Sequence, residues 1–275
     1  MKKNFWIALF AVTMISACES DDNTPDLTAP VIEMEEPFPG DSFAAGWTMH
    51  VLGEITDDEG LASYNITIHD DFDGHTHGRV LEAFSYDQSF VASGTMQEID
   101  QEIEITETAT AGPYHFVVQA IDEAGNTTSF ADGSTIESEI WITNDEMALI
   151  HFEDANGTEV DEYEAELGVS LAFYGHIEDQ EGALDHVDIQ VGHVEESEEH
   201  DHSHERVLED AIYDEEFEVE GATSVTIESL LANANIVVTQ SDLDALEEGE
   251  HLYLIITVKD EDGNYSKNQI AIHFD

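Results

Sequence analysis

The chain has 275 residues, and six basic against 64 acidic side chains leave a formal net charge of −58 at pH 7. Such a surface repels nucleic acid and anionic lipid head groups and gathers cations, so a nucleic-acid partner is excluded. Hydrophobic residues make up 41% of the chain and recur with strand periodicity, which excludes a disordered acidic tail.

The first element is an export signal. Lys2 and Lys3 form a basic start, Phe5 to Ile15 an apolar run too short to span a bilayer, and Ile15-Ser16-Ala17-Cys18 closes it. The closing tetrapeptide resembles the bacterial lipobox, which makes residues 1–17 a lipoprotein signal peptide and Cys18 the lipidated first residue of the mature chain. Cys18 is the sole cysteine, so there is no disulfide framework and no thiolate metal site. Glu19-Ser20-Asp21-Asp22 resembles the acidic surface-export signal of Bacteroidota lipoproteins. Residues 18–29 read as a flexible tether. The expectation is an outer-membrane, lipid-anchored and surface-exposed protein.

The body reads as all-β. Tyr64–Ile68, Ile103–Thr106, Tyr114–Ala120 and Leu252–Val258 alternate apolar and polar side chains, with turn signals such as Asp57-Asp58-Glu59-Gly60 and Asp262-Gly263 between such runs. Seven or so short strands per half predict two tandem immunoglobulin-like antiparallel β-sandwiches, residues 30–145 and 146–275. Ser241 to Gly249 reads as one or two capped helical turns. Tyr64 and Trp47 are expected in the core.

The halves repeat each other. His75-Thr-His77-Gly-Arg79-Val-Leu-Glu82 returns as His202-Ser-His204-Glu-Arg206-Val-Leu-Glu209, and Gly53–Gly60 returns as Gly175–Gly182. Ala120-Ile-Asp122-Glu-Ala-Gly125-Asn126 returns as Val258-Lys-Asp260-Glu-Asp-Gly263-Asn264. In an immunoglobulin-like topology the start of strand B, the end of strand C and the start of strand F share one pole. His50, His69 and His115 take those places in the first half, with His75 and His77 on the excursion that leaves strand C. In the second half His193 ends strand C, His200, His202 and His204 lie on the excursion, His251 precedes strand F, and Ala172 replaces His50. His176 and His186 near the B–C turn, with His151 and His273 in the outer strands, read as ordinary surface histidines.

Imidazoles gathered at a pole suit a transition metal. Zn²⁺ fits best and Cu²⁺ or Ni²⁺ also suit the donors, while a soft Cu(I) site lacks its ligands. Glu82 and Glu209, or Asp70, Asp71 and Asp73, can orient the rings, and Arg79 and Arg206 can pair with those carboxylates. No His-Glu-x-x-His helix or nucleophile turn is present, so the chain is not expected to be an enzyme. Ca²⁺ is the less favoured ion: Asp57, Asp58, Asp122, Asp179, Asp260 and Asp262 are explained by turn formation.

Met49-His50-Val51, Ile66-Thr67-Ile68-His69, the histidine excursion and Gly112-Pro113-Tyr114-His115-Phe116 with Asp122-x-x-Gly125 resemble the domain-of-unknown-function 4625 family of Bacteroidota lipoproteins. The resemblance covers the first half well and the second more loosely. It implies one or two immunoglobulin-like domains behind a lipobox, and no activity. The chain departs from that pattern at Gln97 to Gln101, where the family carries further histidines. The expected function is zinc capture, buffering or delivery to an outer-membrane transporter; the alternative is a structural or adhesive surface module without a specific metal site.

Overall fold

The structure, a computed structural model, describes residues 25–72, 83–193, 211–246 and 251–274. Two hydrophobic cores form, the first drawn from Ile32 to Ile142 and the second from Ala148 to Ile272. Each is the filling of one β-sandwich.

In the first sandwich β1 (Val31–Glu36), β3 (Thr48–Thr56) and β6 (Met96–Glu104) form one sheet, in the order β1-β3-β6. The facing sheet has the order β2-β8-β7-β4-β5, from β2 (Ser42–Ala44), β4 (Leu61–Asp70), β5 (Tyr86–Val91), β7 (Gly112–Asp122) and β8 (Ile136–Thr143). Alternation decides which side chains meet between the sheets. Met49, Val51 and Ile55 from β3 point at Tyr64, Ile66 and Ile68 from β4 and at Tyr114, Phe116 and Val118 from β7, all buried. Tyr114 also donates its buried hydroxyl proton to the Thr110 carbonyl at 2.8 Å and accepts from the Phe84 N–H at 3.1 Å, tying the chain before β7 to that before β5.

The second sandwich repeats the plan. β9 (Leu149–Glu153), β11 (Tyr174–Glu178) and β14 (Ser224–Thr226) make the small sheet, in the order β14-β11-β9. β10 (Glu162–Ala165), β12 (Leu184–His193), β13 (Tyr213–Ala222), β15 (Leu252–Asp260) and β16 (Tyr265–Phe274) make the large one, in the order β10-β16-β15-β12-β13. Two short helices interrupt the β pattern, α1 (Ile227–Leu230) and α2 (Gln240–Asp244). α2 starts where the Asp242 carboxylate accepts from the Thr239 N–H at 2.6 Å and from its hydroxyl at 2.7 Å. Tyr64 is buried, but Trp47 is 72% exposed. It is in phase with Met49 and Val51, yet it lies in the turn before β3, past the last core layer.

The two sandwiches meet through the β15–β16 turn. The Asn264 side-chain oxygen accepts from the Ala111 N–H at 3.0 Å and from Asn144 Nδ2 at 2.8 Å, and the Tyr265 N–H donates to the Ala111 carbonyl at 2.9 Å. Tyr265 stacks on Phe72 with ring centroids 5.3 Å apart. Gly112 is required there: its φ is +145°, and a Cβ would lie 2.5 Å from Phe72 Cε1 and 3.3 Å from Tyr265 Cβ.

Candidate metal centre

His69 and His115 stand directly opposite each other on β4 and β7. His69 Nε2 is 3.3 Å from His115 Nδ1, and His115 Nε2 is 3.0 Å from Asp71 Oδ2. The network is consistent when His69 donates to His115 and His115 donates to Asp71. Asp71 at Nε2 fixes the tautomer that leaves the His115 Nδ1 lone pair facing His69, so the two rings either hydrogen-bond or share a cation as an imidazole pair, and among the described residues no third ligand joins them.

The expected five-imidazole pole is otherwise divided. His50 is opposite Glu102 on the exposed face of the small sheet, between buried Met49 and Val51. His69 follows buried Ile68 and lies on the exposed face of the large sheet. Pole position therefore places the two near one end, but strand alternation turns them to opposite sides of a sandwich about 10 Å thick. Among the described residues, His50 shares no site with His69 and His115. His75, His77, Arg79, Glu82 and Asp73, with His200, His202, His204, Arg206, Glu209 and Cys18, lie outside the described residues.

The second pole is not a copy of the first. Counting from the shared leucines, Leu61 leads to Tyr64, Ile66 and Ile68, and Leu184 to Val187, Ile189 and Val191, all buried. Hence His69 corresponds to Gly192, not to His193. Counting back from Asp122 and Asp260, His115 corresponds to Tyr253. The cross-strand pair His69–His115 is accordingly replaced by Gly192–Tyr253. His251 instead faces His273, with ring centroids 5.3 Å apart, and His273 Nε2 is 3.2 Å from Glu162.

Histidines read as ordinary surface residues come together on the small sheet of the second sandwich. His151 on β9 pairs with His176 on β11, and their rings stack at 4.6 Å with 12° between planes. One donor atom from each of His151, His176 and Glu178 lies within 4.8 Å of the others. His151 Nδ1 is 3.2 Å from Glu159, and His176 Nδ1 is 3.2 Å from Glu153. Carboxylates at Nδ1 fix the tautomer that leaves Nε2 as the metal donor, and His151 Nε2 is buried without a hydrogen-bond partner. Gly175 holds the register, because its φ of +137° and its close approach to the His151 carbonyl leave no room for a Cβ. A second group, Asp26, Asp57 and Asp58, lies at the far tip of the first sandwich.

Residues 16–137 match the family model "Domain of unknown function (DUF4625)". The matched stretch takes in the first sandwich up to the start of β8. No curated protein matches the chain. Solved structures similar to it include fibronectin(III)-like modules of Clostridium thermocellum CbhA, at 13% identity and a TM-score of 0.24, covering 89% of this chain and 94% of that one. A tetra-tandem repeat from the extending region of a large adhesion protein is 14% identical at a TM-score of 0.31, covering 88% and 48%. The GspB Siglec domain is 12% identical at a TM-score of 0.29, covering 91% and 98%. Likeness at this level assigns no ligand or partner.

Proposed function

We propose that this chain is a non-catalytic surface module, two β-sandwiches in one fixed orientation carried by a lipid on Cys18, which spaces or displays other surface components. The supporting observation is the junction, where Asn264 and Tyr265 of one sandwich satisfy backbone groups of Ala111 in the other. A flexible linker would leave those buried groups to water; here they are paired, which costs free energy to undo. On intact cells, protease shaving should remove the chain, and Cys18→Ala should release it from the membrane fraction. A chain that resists shaving and fractionates identically with Cys18→Ala would end this reading.

A second reading, transition-metal capture, is favoured by the His151–His176–Glu178 group. Two imidazoles and one carboxylate, with water in the fourth place, form a recurrent zinc donor set. Equilibrium dialysis separates the histidines. A chain with His75, His77, His200, His202 and His204 changed to Gln should keep one tightly bound zinc and lose it when His151→Ala and His176→Ala are added. Equal uptake with and without those two changes contradicts the reading.

A further inference from the structure

We infer that the free tip of the first sandwich is a calcium site that ties the tether to the folded body, built from Asp26, Asp57 and Asp58. One carboxylate oxygen from each lies within 4.8 Å of the others. Asp57 and Asp58 open the β3–β4 turn, while Asp26 comes from the segment that precedes β1. The turn after β7 closes beside them: the Glu123 N–H donates to the Gly60 carbonyl at 2.8 Å, and Asn126 Nδ2 donates to the Asp26 carbonyl at 3.3 Å.

Turn formation accounts for only half of Asp57. Its Oδ1 accepts from the N–H groups of Glu59 at 3.0 Å and Gly60 at 2.5 Å. Its Oδ2 has no partner although the residue is only 9% exposed, and Asp26 Oδ2 is likewise buried and unpartnered. A buried carboxylate oxygen without a donor carries a desolvation cost that a nearby cation removes. The charge around it makes that cost larger. Asp122, 2% exposed, meets the Asp26 carboxyl; burial opposes its ionisation, but donors from Asn126 and Gly125 and the contact with Asp26 outweigh this and hold it below the ordinary carboxylate range, so the pair needs a shared proton or a cation.

Among the described residues no lysine or arginine lies at this tip. Lys259 and Lys267, the lysines among the described residues, both belong to the second sandwich, where Lys259 pairs with Asp185 and Lys267 lies over Trp141. The donors are hard oxygens only, which selects calcium over zinc or copper. Calcium takes six to eight oxygens in flexible geometry, so three aspartates and water suit it better than the strict octahedron of magnesium. With about three carboxylates in a site open to water, the affinity should fall in the range of extracellular modules, roughly 10⁻⁴–10⁻³ M.

The site would work through Asp26. Asp57 and Asp58 are fixed by the sandwich, whereas Asp26 belongs to the chain that leads back to Cys18. Calcium would therefore set the angle at which the body leaves its anchor. This inference does not depend on the zinc donor set, which lies in the other sandwich.

Calcium binding to the purified full-length chain, stripped with chelator and titrated calorimetrically in physiological salt with excess Mg²⁺, tests it. The background from diffuse negative charge is common to all variants. Asp26→Asn and Asp57→Asn should each weaken one calcium site at least tenfold, and calcium should protect the peptide bonds around Thr28 from a broad-specificity protease in the parent alone. Asp26→Asn lies outside both cores, and its calcium-free melting curve, expected to match the parent's, separates lost binding from unfolding. Calcium uptake and protection identical in the parent and both variants would overturn the inference.

Discussion

Asn264→Ala should loosen the junction between the sandwiches, and Asn126→Ala supplies its control. Both asparagines end an Asp-x-x-Gly-Asn turn and donate Nδ2 to the aspartate that opens it, at 2.9 Å to Asp260 and 2.6 Å to Asp122. Both substitutions therefore remove one hydrogen bond to a carboxylate, each about 1.5–3 kcal/mol, and Asn126→Ala also removes a long 3.3 Å bond to the Asp26 carbonyl at the tether. Only Asn264→Ala also strips the buried Ala111 N–H of its acceptor, while Asn144 Nδ2 keeps the Ala109 carbonyl at 3.1 Å. A buried donor left unpaired costs about 1–3 kcal/mol, so Asn264→Ala should exceed Asn126→Ala by that amount. At about 4 °C per kcal/mol for a domain of this size, the melting temperatures should differ by roughly 4–12 °C. Differential scanning calorimetry reads the shifts, and rotational diffusion by NMR relaxation reads whether the sandwiches still tumble together. Equal costs for the two substitutions, with joint tumbling intact, would refute the reasoning.

Tyr114→Phe leaves the Thr110 carbonyl without its donor and the Phe84 N–H without its acceptor. It should lower stability by about 2–4 kcal/mol in urea unfolding. Gly175→Ala meets the His151 carbonyl at a backbone angle that L residues rarely adopt, and should cost more than about 3 kcal/mol or prevent folding of the second sandwich, seen as loss of its amide NMR signals. Burial, with Asp179 and Asp262 nearby, pushes Asp260 up to about 6 against the opposing donors of Asn264. The folded chain thus holds a proton the unfolded one lacks between about pH 4 and 6, so this group's stabilisation is full below pH 4 and is lost as pH rises through 6. Asp154 and Asp132 act oppositely: donors from Thr158 and from Ser134 hold them below the ordinary range, so their stabilisation is lost under strong acid. Thermal stability should rise from about pH 7.5 to pH 5 and fall again below about pH 3.5; a flat or inverted profile across pH 5–7.5 contradicts the assignment.

Strand content was readable because burial has period two. The run Leu252–Val258 became β15, and the Asp-x-x-Gly-Asn turns formed as the repeats suggested. Side-chain direction at the poles was less accessible. Topology says which end of a sandwich a residue occupies, but the face depends on phase, and His50 and His69 are both out of phase with the core on facing sheets, so they point away from each other. The equation of His69 with His193 was one residue out of register, which in a strand reverses the face. The meeting of His151 and His176 is not legible in the sequence, because it depends on how β9 pairs with β11. A histidine flanked by Ile150 and Phe152, and another flanked by Gly175 and Ile177, were the available signal that both point away from the core. Trp47 shows the limit of periodicity from the other side: a residue in phase with a core still needs a core layer opposite it.

Distance distributions between spin labels, one on each sandwich, test the fixed junction most directly. A single narrow distribution in the parent chain, broadened by Asn264→Ala, is the predicted result. A broad distribution in the parent, unchanged by that substitution, would mean two independently moving sandwiches and would contradict the account.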